Sequence, residues 1–135
     1  METSRASGRN VLKDCIFCNI EKDRIVRETE YFVVIRDIFP VSKLHSLLIP
    51  KRHIEDYFDL TTKENADLFE LLKDEKNAIN KEDPMVTGYN VGMNCGEDAG
   101  QTIFHCHIHL IPRRKGDTAE PRGGVRGVIK NKQNY

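Results

Sequence analysis

Three histidines alternate with apolar residues in the run Phe104-His105-Cys106-His107-Ile108-His109-Leu110-Ile111. Successive side chains of a β-strand point to opposite faces, so a strand here puts all three imidazoles on one face and the intervening residues in the core. A neutral imidazole offers a nitrogen lone pair near physiological pH, which suits metal binding, proton transfer or attack on phosphorus. An affinity tag is terminal and consecutive, and this run is neither. A second group of reactive residues is Cys15-x-x-Cys18, which by itself is compatible with zinc, with redox chemistry or with neither. The redox reading needs a thioredoxin-like βαβ context that the surrounding pattern lacks. His53 and His105 supply two further ligands of the right softness, and two cysteines with two histidines form a common closed tetrahedral set. Cys95 and Cys106 have no such spacing and read as buried or semi-buried fillers.

The elements that must position these residues are legible from periodicity. Met1 to Lys13 has few apolar residues and no period, which predicts a mobile extension. Ile16, Phe17 and Ile20 suit a short helix over Cys15 to Lys22 with one buried side. Ile25 to Arg27, Tyr31 to Arg36 and His45 to Ile49 are rich in β-branched or apolar residues and read as strands, with a loop from Asp37 to Leu44. Thr61 followed by Glu64 predicts a capped helix start, and Ala66, Leu68, Phe69, Leu71, Leu72 and Ile79 supply its apolar face up to a stop near Asn80 to Pro84. Val86 to Met93 and Ile103 to Ile111 predict two more strands, joined by a loop over Asn94 to Thr102 that contains Gly96 and Gly100. The order implies an α+β domain with a largely antiparallel sheet.

The chain has 135 residues, enough for one globular domain. Its 21 basic residues balance 21 acidic ones, so the overall field gives no reason to favour nucleic acid or an anionic membrane. No segment reads as a secretory signal or a membrane span, which predicts a cytoplasmic protein with reduced thiols. The exception to the even charge is the carboxy-terminal segment, where Arg113, Arg114, Lys115, Arg122, Arg126, Lys130 and Lys132 face only Asp117 and Glu120. A solvated tail and a phosphate-facing segment are both compatible with that bias.

The run from His105 to Ile111 resembles the signature of the histidine triad family: His, apolar, His, apolar, His, apolar, apolar. The likeness extends to Asn94, to Gly100-Gln101-Thr102 and to His45-Ser-Leu-Leu-Ile-Pro-Lys-Arg-His53, covering roughly residues 15 to 115. It implies a five-stranded, mostly antiparallel sheet with two helices, in a domain over 14–115 between an extension (1–13) and a tail (116–135). It also implies a homodimer whose tails lie near the active sites. The implied reaction is hydrolysis of a purine nucleoside 5′-phosphate joined to a leaving group, with His107 as nucleophile. His45 and His109 would contact phosphate, Thr102 the leaving group, and Asn94 and Gln101 would be further donors. Thr102 has a plainer alternative, a hydroxyl bonded only to local backbone. Asp37 would hold the ribose, and Ile16, Phe17, Ile35 and Ile38 would line a slot for the base. Some bacterial members carry structural zinc on a quartet equivalent to Cys15, Cys18, His53 and His105.

Four other functions share parts of this pattern. Related uridylyltransferases have Pro between the first two histidines and Gln at the third, where this chain has Cys106 and His109. A dinucleotide phosphorylase and a nucleotide-binding adaptor or sensor with weak turnover share the same residues, although all catalytic positions are filled here. Relatives that repair adenylated DNA ends carry an added zinc finger and a strongly basic face; after His109 this chain has only a short tail without further cysteines, and its one segment Arg122-Gly123-Gly124-Val125-Arg126-Gly127 is weak evidence for nucleic-acid binding, so nucleic acid is not the expected partner.

Overall fold

The computed structural model describes residues 12–135, so all but the last two residues of the expected 1–13 extension lie outside the described residues. Five strands, β1 (Ile25–Glu28), β2 (Phe32–Arg36), β3 (Ser46–Pro50), β4 (Val86–Gly92) and β5 (Ile108–Arg114), form one antiparallel sheet in the order β1-β2-β3-β5-β4. One long helix, α1 (Thr62–Glu82), crosses a face of it. No helix among the described residues is long and apolar enough to cross a membrane.

The central strands β2 and β3 are buried along almost their whole length, because both faces of the sheet are covered. On one face Phe32, Val34, Leu48, Ile108 and Leu110 pack with Leu68, Leu71 and Ile79 of α1. On the other, Val33, Ile35, Leu47 and Ile49 pack with Phe17. The predicted cap of α1 is present: the Thr61 side chain accepts from the Glu64 amide at 3.1 Å while Glu64 accepts from the Thr61 amide at 2.8 Å.

The buried stripe of α1 differs from the purely apolar one read from sequence. It is Glu64, Leu68, Leu71, Glu75 and Ile79, while Ala66 and Phe69 are exposed. Two acids belong to the inner face because arginines meet them there. Glu75, 1% exposed, lies 2.8 Å from Arg27 Nε and 2.6 Å from Arg36 Nη1, and Arg52 forks onto Glu64. Charge pairing, invisible to an apolar period, sets the helix's rotation.

Two further expectations are corrected. Residues 15–22 form turns followed by a 3-10 turn over Lys22–Arg24, not an α-helix, leaving α1 as the one main helix. Asn19 ties these turns together: its Nδ2 lies 2.7–3.1 Å from the carbonyls of Leu12, Lys13 and Cys15. The strand expected from Ile103 begins only at Ile108. Before it, the Cys106 amide bonds to the Ile54 carbonyl and the chain is irregular, so His105 and His107 precede the strand that holds His109.

Candidate active site and metal centre

His105 is fully buried, and its Nε2 lies 2.8 Å from the Pro50 carbonyl. A carbonyl only accepts, so Nε2 carries the proton and Nδ1 presents its lone pair. Nδ1 lies 3.1 Å from His53 Nδ1, 3.4 Å from Cys15 Sγ and 3.5 Å from Cys18 Sγ, and Cys18 Sγ lies 3.3 Å from His53 Nδ1. A tetrahedral zinc with nitrogen ligands at about 2.0–2.1 Å and sulfur at about 2.3 Å requires ligand separations of roughly 3.3–3.8 Å. The quartet expected from the sequence therefore has the spacing and donor chemistry of a closed tetrahedral site, with His105 braced by a main-chain partner behind it. Burial pushes the His105 imidazole down to about 4, so the neutral, ligating form persists.

His107 and His45 are likewise fixed by single main-chain atoms, and His45 in turn fixes His109. His107 Nδ1 lies 2.8 Å from the His105 carbonyl, which makes Nδ1 the protonated nitrogen and leaves Nε2 with its lone pair. His45 Nδ1 accepts the Val41 amide hydrogen at 3.0 Å, so the proton of His45 is on Nε2. That Nε2 lies 2.9 Å from His109 Nδ1 and 3.5 Å from Asp37 Oδ2. His109 is thereby made the acceptor at Nδ1 and a donor at Nε2. Burial lowers the pKa of His45 against the opposing pull of Asp37. Burial, with the neighbouring His107 and His45, lowers that of His109 to about 4. The cluster of Asp37, His45 and His109 could gather a cation by distance alone. The His45 tautomer argues against it, since Nε2 holds a proton where a ligand needs a lone pair.

Leu44, immediately before His45, has φ +73°, and the His45 amide closes a turn onto the Ser42 carbonyl. A left-handed leucine costs on the order of 1 kcal/mol, strain held in the turn that delivers His45.

His107 and His109 line a cavity of about 300 Å³ together with Ile16, Phe17, Asp37, Ile38, Asn94, Gln101 and Thr102. These expected residues thus meet in one place. His45 sits behind His109, 2% exposed. Ile35 is a correction: it is fully buried under Phe17 and Leu47 in the core, where a strand residue facing the packed side of the sheet must be, and it does not line the cavity. Gln101 reaches the cavity wall, but its Nε2 serves the Glu55 and Ile103 carbonyls and its Oε1 the Gly96 amide. It braces the loop that carries Thr102, and its amide hydrogens are already committed. Asp37 Oδ1 accepts the Phe39 amide, leaving Oδ2 toward His45 and the cavity.

Sequence reasoning missed Arg24, Phe39, Leu47, Gly100 and Ile103 in this wall. Only strand register reveals Arg24 and Leu47 as neighbours of the histidines, through the rows Ile25↔Ile35, Ile35↔Leu47 and Leu47↔His109. Across the ridge of Thr102 and Ile103 the surface opens into a wider groove of about 840 Å³ that includes Lys13, His53 and Phe104.

A HIT domain model matches residues 19–116. The chain is 40% identical over 110 residues to "Protein hit" of Bacillus subtilis (strain 168), covering 78% of this chain and 75% of that protein. It is 39% identical over 103 residues to the adenosine 5′-monophosphoramidase hnt1 of Schizosaccharomyces pombe, covering 73% of this chain and 74% of that one. A crystal structure of a Zn-bound histidine triad family protein from Mycobacterium smegmatis superposes with a TM-score of 0.70 at 34% identity, covering 79% of this chain and 80% of that chain.

Proposed function

This chain belongs to the HIT domain family, and from that premise we propose that it hydrolyses purine nucleoside 5′-phosphates joined to a leaving group, as phosphoanhydrides or phosphoramidates, through a nucleotidyl-His107 intermediate. One observation carries the reading: His107 lines the cavity with Nδ1 protonated and held by the His105 carbonyl, which makes Nε2 a neutral nucleophile. Nε2 attacks the α-phosphorus, the P–N bond forms, and the bond to the leaving group breaks with its electron pair. The leaving group takes up a proton as it departs. Water then attacks the same phosphorus, displaces the imidazole and releases the nucleoside monophosphate.

Charge on the phosphoryl oxygens would be met by His109 Nε2–H, whose hydrogen is directed there because His45 occupies Nδ1. Asn94 and the Thr102 hydroxyl stand on the same wall, Thr102 on the ridge toward the wider groove that would receive the leaving group. Asp37 would accept from the ribose hydroxyls, and Ile16, Phe17 and Ile38 would flank the base. The relative named as an adenosine 5′-monophosphoramidase supports this substrate class. Replacing His107 with Asn should abolish turnover of a nucleoside phosphoramidate, and mass spectrometry of quenched wild-type reactions should find the chain heavier by one nucleotidyl group. Equal turnover by the variant, with no adduct in the parent, would overturn the proposal.

Zinc on Cys15, Cys18, His53 and His105 is the cofactor we propose, supported by the ligand spacing and by the Zn-bound relative. With four protein ligands it supplies a structural cross-link between the 15–18 turns and the segment leading to His107. About one zinc per chain is expected in protein purified without a metal-affinity tag, and much less in Cys18→Ser; a wild type without zinc refutes the assignment. A homodimer is supported by the edge position of β4 and by exposed Val91, which lines a groove with Leu72 and Tyr89. Light scattering that reports 15.6 kDa at all concentrations would exclude it.

A further inference from the structure

We propose that Arg24 reads the base, and that the site selects 6-oxopurine nucleotides, such as those of guanine, over adenine. This rests on the nucleotide-hydrolase reading and specifies its substrate. The register row Ile25, Ile35, Leu47, His109 runs straight across β1, β2, β3 and β5. Arg24 precedes Ile25, Asp37 follows β2 and His45 precedes β3, which is one end of those three antiparallel strands, and the register sets His109 beside Leu47 near that end. Three strand spacings of roughly 4.8 Å separate the backbone of Arg24 from that of His109, about 14 Å in all. A nucleotide laid across this end with its phosphate at His107 and His109 and its ribose at Asp37 brings its base toward Arg24.

The apolar side chains that line the cavity with Arg24 are Ile16, Phe17, Ile38, Phe39, Leu47 and Ile103. Such a slot holds any purine and distinguishes none, because every base has a stacking face. Arg24 is half-buried and lines the same cavity. Its recorded hydrogen bond is a long one, Nη2 to the Arg36 carbonyl at 3.4 Å, and among the described residues no carboxylate pairs with it. Most of its five N–H donors thus lack a protein acceptor. A guanidinium donates and never accepts. Guanine presents O6 and N7 as two adjacent acceptors matching that fork, whereas adenine presents N7 beside an amino group that sets donor against donor.

The test compares guanosine and adenosine 5′-phosphoramidates as substrates for the full chain and for Arg24→Met and Arg24→Lys, with calorimetric binding of GMP and AMP to each. The wild type should favour guanosine by about tenfold in kcat/KM and GMP by a similar factor in Kd. Arg24→Met, which keeps the stem and loses the fork, should bring both ratios near one, the change falling in KM more than in kcat. Arg24→Lys, a point charge without the fork, should lose most of the preference. Because each readout is a ratio, partial unfolding of a variant does not alter it. A wild-type ratio of one or below, or a ratio unmoved by Arg24→Met, overturns the inference while leaving hydrolysis standing. Absence of turnover with both substrates would remove the hydrolase reading, and the GMP to AMP ratio of Kd values would then still decide the role of Arg24.

Discussion

Replacing His109 with glutamine should flatten the protein's loss of stability in acid. In the native state burial holds this imidazole at about 4, against an ordinary value of 6.5 in the unfolded chain. Above pH 6.5 both states carry it neutral and it contributes no pH dependence. Between 6.5 and 4 the unfolded chain takes up a proton that the native one does not, so stability falls as pH falls. Integrated over that window the penalty is about 2 kcal/mol at pH 5 and about 3 kcal/mol at pH 4. Glutamine does not titrate, yet it can accept from His45 Nε2–H as His109 Nδ1 does. His45, His53 and His105, whose pKa values are also lowered, remain in both proteins, so the difference between the two curves isolates His109. Urea unfolding from pH 7 to pH 4 measures it. The wild type should lose about 3 kcal/mol more than the variant over this range. Parallel curves, or an NMR titration of the His109 ring with a midpoint near 6.5, would refute the assignment of a buried neutral donor.

Two further outcomes follow from the same network of contacts. Glu75→Ala strips both Arg27 and Arg36 of their carboxylate at the helix–sheet interface and should cost about 3 kcal/mol in denaturant unfolding; a change below 0.5 kcal/mol, on the scale of ordinary surface substitutions, would show that the pairing is dispensable. Nitrogen-15 spectra at pH 7.5 should find His107 protonated at Nδ1 and His45, His105 and His109 at Nε2; His109 protonated at Nδ1 would break the chain of inference from the Val41 amide.

Much of the scaffold could be read from periodicity because apolar burial fixed it. The β-branched run of β2 and the capping box of α1 lie where local rules put them. What local rules missed depends on partners distant in sequence. The rotation of α1 follows Glu75, whose arginines lie 48 and 39 residues away. For the site, chemical type and spacing singled out the histidine run and the cysteine pair, whereas His45, Asp37 and Thr102 came from the resemblance to the histidine triad family. Ile35 was misplaced because an apolar residue beside a pocket and one beneath it look alike in sequence. Arg24 was missed because only cross-strand register relates it to His109.

The departure from strand geometry before Ile108 is what allows alternate histidines to do different work. In a regular strand His105 and His107 would point the same way, roughly 7 Å apart, and would serve one face. Here the Cys106 amide is drawn to the Ile54 carbonyl, His105 turns inward to the Pro50 carbonyl and the cysteine pair, and His107 remains at the cavity beside Phe17. The His105 carbonyl then accepts from His107 Nδ1. A residue whose side chain is anchored among the cysteines therefore sets, through its main-chain oxygen, which nitrogen of its neighbour keeps its lone pair. Loosening the cysteine quartet should disturb that oxygen before it disturbs the sheet, so Cys18→Ser is expected to lower kcat by at least tenfold while most of the folded structure survives. A variant that loses its metal and keeps full kcat would separate the two sites and show that the carbonyl is held by the strand alone.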